Sequence, residues 1–194
     1  MATFNATLRF YSRQGLWSLF LMSALPLHIW TFILTFNDFS WVTERTDSWD
    51  AVGVMAYGLI FALVESVVIF FAFAILGLLI SKKWGEKRRI ALLSILVTIV
   101  SLWAIAGHIY FFRESSMPPQ VIAFFVGFDH PLRVLYSVAL LIVVPTILSP
   151  TYFVLASDKF FRFVEASIER LSTLMILYLV VDIAAGVILL IRNI

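Results

Sequence analysis

Five continuous apolar runs organise the chain: Leu16 to Phe36, Ala51 to Ile80, Ile90 to Phe112, Val134 to Ala156 and Leu171 to Ile191. None shows the in-out alternation of a barrel strand, and a backbone in lipid must satisfy its own polar groups, so the runs predict helices. About 20 helical residues cover a hydrocarbon core of roughly 30 Å, so each run is long enough to cross and the second is overlong. The pattern predicts an all-α fold: a polytopic membrane protein, a bundle of five transmembrane helices in a single domain spanning residues 1–194. Arg9 and Arg13 precede the first run as the basic region of a signal peptide would. Signal cores are about 7 to 15 residues and end in small residues, whereas this run is longer and ends in Thr35-Phe36-Asn37-Asp38, so it is expected to be a retained span.

The charges between the runs give orientation. Ten Lys and Arg residues fall in the N-terminal segment and in the second and fourth connections, against four on the other side: Arg45, Arg113, Arg133 and Arg192. The first connection is instead acidic, through Asp38, Glu44, Asp47 and Asp50. The positive-inside rule then predicts a multi-pass protein of the cell membrane, with its N-terminus in the cytoplasm and its C-terminus outside. Trp17, Trp41, Trp49 and Trp84 lie at or near span ends, where indole rings sit at headgroup level.

Two stretches read as amphipathic. Phe160, Phe161, Val164, Ile168 and Leu171 recur at helical spacing among Asp158, Lys159, Arg162, Glu165 and Glu169, which predicts a cytoplasmic interfacial helix before the last span. Phe4, Leu8 and Tyr11 repeat the pattern more weakly beside Arg9 and Arg13. The apolar residues 121–128 are too few to span, and they either lie in the outer interface or form a re-entrant turn.

Composition narrows the function classes. At 62% hydrophobic and 13% charged in 194 residues, the spans leave no room for a separate catalytic domain. The net charge of +2 arises from loop residues that report topology, so no nucleic acid is expected as a partner. The absence of cysteine removes disulfides, thiolate metal sites and iron–sulfur clusters. No phosphate-binding glycine loop, nucleophile elbow or calcium loop occurs, and neither a catalytic set nor a cofactor is expected.

What chemistry there is lies inside the spans. Glu65 and Asp182 are the carboxylates within apolar runs, where an ionised acid costs several kcal/mol. Both are expected near the midplane, facing the bundle. Gly58, Ala62 and Ser66 let a neighbour approach beside Glu65, and Tyr178 and Gly186 flank Asp182 at four residues. With no Lys or Arg at comparable depth, each acid is expected to be protonated, to share a proton with the other, or to hold a cation. Ser94, Thr98, Ser101 and His108 form a polar stripe on span three that could line a hydrated path. Simple interhelical hydrogen bonding accounts for the same residues. His28 and His108 lie about 18 and 27 Å from the cytoplasmic ends of their spans, a mismatch that argues against one haem between them, and no spacing fixes a zinc site. Pro26, Pro145 and Pro150 each remove a backbone donor within a span.

These features point first to a small transport or proton and cation permeation component, with Glu65 and Asp182 as midplane sites and His108 as an outer relay. A non-catalytic membrane subunit of a larger complex is the alternative. A membrane-embedded lipid-modifying enzyme, built on Asp129, His130 or Glu114, is the third. Besides the lipid bilayer, the expected partner is a second copy in a homo-oligomer or another membrane subunit, because five spans are few for a complete transporter.

Overall fold

The computed structural model describes residues 11–112 and 117–194, and these are all-helical. Six helices follow one another: α1 (Arg13–Arg45), α2 (Ser48–Leu78), α3 (Gly85–Phe112), α4 (Pro119–Val126), α5 (Pro131–Ala156) and α6 (Asp158–Asn193), with a 3-10 turn at Lys82–Trp84. Five of them, all but α4, are long and apolar enough to cross a membrane. Phe4, Leu8, Arg9, Arg113 and Glu114 lie outside the described residues.

The helices run past the apolar stretches that announce them, because an α-helix continues until a cap or a breaker stops it. α1 extends to Arg45, so most of the acidic connection is helical and only Thr46 and Asp47 separate α1 from α2. Asp47 caps α2, its carboxylate accepting from the Asp50 amide at 2.7 Å. The reversal into α3 passes through Gly85 at φ +66°, a left-handed conformation that glycine adopts without a Cβ clash. Ser157 is the single residue between α5 and α6. Its amide donates to the Phe153 carbonyl, closing α5, while its hydroxyl accepts from the Phe160 amide, opening α6.

The expected interfacial helix is not a separate element. Residues 158–171 and the last span form one 36-residue helix with no break. Nor is its apolar face left for lipid: Val164 and Ile168 are buried in a core cluster with Leu21, Met22 and Leu25 of α1, Ala91 and Leu92 of α3 and Val154 of α5. The charged positions meet the neighbouring helices, Lys87 reaching Glu165 at 2.7 Å and Arg88 pairing with Asp158.

α1 is the central helix, packed against α2, α3 and α6. At the basic end, Tyr11, Leu19, Ala74, Ile90 and Leu93 form a second cluster. At the opposite end, Ala56 and Leu59 of α2 meet Ala185 of α6, with Phe32 of α1 against them. There Arg192 pairs with Asp50 at 2.7 Å and donates to the Trp49 carbonyl, tying the end of α6 to the start of α2. α4 has no buried residue and packs along α5, so the protein provides no enclosure for a re-entrant turn. α1 and α5 continue through their prolines. The Thr146 and Thr151 hydroxyls donate to the Val143 and Ile147 carbonyls, neither of them the carbonyl that a proline releases.

Candidate functional site: a buried histidine–aspartate pair

Asp182 faces the bundle, as its flanking residues suggested, and the side chain it meets is a histidine rather than the other acid. Its Oδ2 lies 2.9 Å from Nε2 of His28, which α1 presents from the opposite side. Both side chains are enclosed, His28 at 0% and Asp182 at 3% exposure. The pair sits between the core clusters of the two ends: His28 follows Leu25 and precedes Phe32 on α1, and Asp182 lies between Met175 and Ala185 on α6. Tyr178, one turn before Asp182, places its ring 6.3 Å from the imidazole and 5.3 Å from Phe32.

The second imidazole nitrogen fixes the proton count. Nδ1 lies 2.9 Å from the Ala24 carbonyl one turn back, and a carbonyl only accepts, so Nδ1 carries a hydrogen. The Nε2–Oδ2 contact then holds one proton, on the imidazole or on the carboxyl. Either placement leaves the pair neutral overall, which suits an apolar surround. The other carboxyl oxygen, Oδ1, is buried and makes no hydrogen bond among the described residues. An acceptor left so costs about 1 to 3 kcal/mol.

The remaining candidates are not gathered around this pair. Glu65 lies level with it, since Gly186, one turn above Asp182, stands against Ile60 across the antiparallel α2–α6 contact. Yet Glu65 is exposed on the outward side of α2, contrary to the inward orientation expected of it. The buried face of α2 is centred on Leu59, Ser66 and Gly77, about 100 to 120° round the helix from Glu65. The two acids therefore share no proton within one chain.

On α3, Ser94 and Ser101 are buried and Thr98 is half-buried, as a polar stripe should be, but His108 is exposed and rests 6.1 Å from the Trp30 ring. The Thr98 hydroxyl donates to the Ser94 carbonyl at 2.7 Å, and the Ser94 hydroxyl has no partner among the described residues. Ser94 and Thr98 line an apolar cavity of about 250 Å³ with Met22, Pro150, Phe160 and Ser167. That cavity lies towards the basic end; neither His28 nor Asp182 lines it. Asp129 and His130 are both exposed at the start of α5. Among the described residues no three His, Asp or Glu side chains come together as a metal site.

The partner of Asp182 was findable. His28 is 12 residues into the first apolar run and Asp182 is 11 into the last, so the two lie at nearly equal depth. Spacing within a single span does not show that match, because the two residues sit on helices at opposite ends of the chain.

The chain matches no known family model, no curated protein and no solved structure. Function rests on the site alone.

Proposed function

We propose that this chain is a multi-pass membrane protein that handles protons, as a small transport or permeation component, with the His28–Asp182 pair as its proton site. The observation that carries the reading is the pair itself: a titratable contact between α1 and α6, closed to its surroundings, holding one proton and keeping one carboxyl oxygen without a partner. Intramembrane ionisable groups are costly and recur in proton pathways. The proposal moves the site from the two acids to one acid and one histidine. Its orientation follows the charge count, with the N-terminus and residues 82–89 in the cytoplasm and the C-terminus outside. Single cysteines introduced into the cysteine-free chain report this directly. External labelling in the 82–89 turn would reverse it.

The test of function is Asp182→Asn in proteoliposomes carrying an internal pH dye. An amide donates to Nε2 and keeps the link between α1 and α6, while the titrating carboxyl is gone. The expected result is a folded variant with proton flux reduced to the protein-free leak. Wild-type flux in the variant, or no flux above leak in wild type, overturns the proposal.

One observation favours the alternative of a non-catalytic subunit. Both imidazole nitrogens are already engaged, one within α1 and one by α6, which is how a strap between two helices is built. On that reading Asp182→Asn is silent in every assay, whereas His28→Leu loosens the bundle.

A further inference from the structure

Glu65 is a carboxyl that the fold turns away from itself. It is exposed on α2 among Phe61, Val64 and Val68, and among the described residues no hydrogen bond or ion pair reaches it. It is also too deep to escape to water. α2 is 31 residues and about 46 Å long, and Glu65 lies about 20 Å from its nearer end, so with a core of roughly 30 Å the carboxyl is some 11 Å below the hydrocarbon boundary. That exceeds what a glutamate side chain spans. Lipid tails offer it neither donor nor acceptor, and carboxyls at this depth ordinarily face protein or water.

We propose that the outward face of α2 centred on Glu65 is a contact surface for a second copy of this chain, with the two Glu65 carboxyls hydrogen-bonded to each other across a two-fold axis. The choice of occupant follows from the chemistry of the group. A protonated carboxyl is donor and acceptor at once, so it is its own complement, and a two-fold axis sets a residue opposite itself. A foreign subunit would have to bring a donor of its own to the same depth, at the cost of burying it. The surroundings favour close contact along a broad apolar strip, with Phe61 and Val68 one turn to either side of Glu65 and Ala72 one turn further on. This inference concerns a surface on α2 and stands apart from the proton site between α1 and α6.

The test is the association state of the full chain in phosphatidylcholine/phosphatidylglycerol vesicles, read by single-molecule photobleaching across a dilution series of protein in lipid. Wild type is expected to dimerise. Glu65→Gln, whose amide also donates and accepts, should dimerise comparably, while Glu65→Leu, which suits the apolar face and leaves the fold intact by circular dichroism, should weaken association by about tenfold or more. In the cysteine-free background Val68→Cys should cross-link to its own copy, and Leu141→Cys on the exposed side of α5 should not. A wild type that stays monomeric at high protein density overturns the proposal. So does a Glu65→Leu variant that dimerises as wild type does, or a second polypeptide that co-purifies in fixed ratio and is lost with Glu65→Leu.

Discussion

Of the most apolar stretch of α1, 56% is buried inside the protein, while in α5 only 6% is, and yet that stretch of α1 is the least apolar of the five. In water the ranking would run the other way. Between helices in lipid there is no hydrophobic drive, because a neighbouring acyl chain is as apolar as leucine, and what selects the interior helix is small side chains and hydrogen bonds. α1 carries both: Leu21 to Pro26 are all buried, so the helix is enclosed on every side around the small Ser23 and Ala24, and His28, one turn above Ala24, bonds across to Asp182. α5 has hydroxyl and small residues as well, but Ser137, Thr146 and Thr151 donate to carbonyls of their own helix, and Val154 is its one buried residue. It is held near its end by Arg88, which donates to the Leu155 carbonyl at 3.0 Å, and further along by the Trp103 indole, which donates to the Thr146 hydroxyl at 2.9 Å. The protein thus has a packed unit of α1, α2, α6 and the inner half of α3, and a wing of α4, α5 and the outer half of α3.

The largest expected effect is at the centre of the packed unit. His28→Leu should lower stability by about 3 kcal/mol, because Asp182 is left enclosed with neither oxygen partnered. Leu141→Ala on the wing should change it by less than about 0.5 kcal/mol. Equal losses in detergent unfolding would erase the distinction between the two regions. A smaller effect is expected where they join. Trp103→Phe keeps the ring and removes the indole donor, which should cost about 1 kcal/mol and raise hydrogen exchange in α5 while leaving α1 and α6 unchanged. Exchange rising equally in all helices would show that the wing is not separable.

The smallest concerns Tyr11, buried at the basic end with its hydroxyl donating to the Ala74 carbonyl at 3.2 Å. Burial raises its phenol above the ordinary 10.0, opposed by the nearby Arg89 guanidinium. A pKa raised by folding adds stability that is complete below the unfolded value and fades as pH climbs from 10 through the folded one. Tyr11→Phe should therefore flatten the alkaline limb of the stability profile. A limb that is unchanged would assign it to other groups.

The five long apolar helices were legible because hydropathy reads one property, the capacity to face lipid, and all five runs have it. Helix ends were less so, since capping acts beyond the apolar stretch: Asp47 carries α2 back to Ser48 and Ser157 carries α6 back to Asp158, while α1 runs on to Arg45. The amphipathic 158–171 segment was correctly seen as one-sided, but periodicity shows that a face is apolar without showing what covers it. Here the cover is α1, α3 and α5. Glu65 shows the converse limit. Gly58, Ala62 and Ser66 do mark a protein-facing strip, but they lie at one edge of it, and the face turns away from Glu65 towards Leu59 and Gly77. Only the positions of α1 and α6 around α2 could settle which side that would be.

The continuity of α6 has a mechanical consequence. An unbroken helix of 36 residues is about 54 Å long, so roughly 24 Å of it exceeds a 30 Å core, and the whole behaves as a stiff rod. Asp158 and Asp182 are 24 residues apart on that rod, a lever arm of about 36 Å. A tilt of about 10° pivoting at Asp182 would sweep Asp158 through some 6 Å. Displacement at the end held by Lys87 and Arg88 reaches the buried pair as a rotation of the same solid body, with no hinge in between to absorb it.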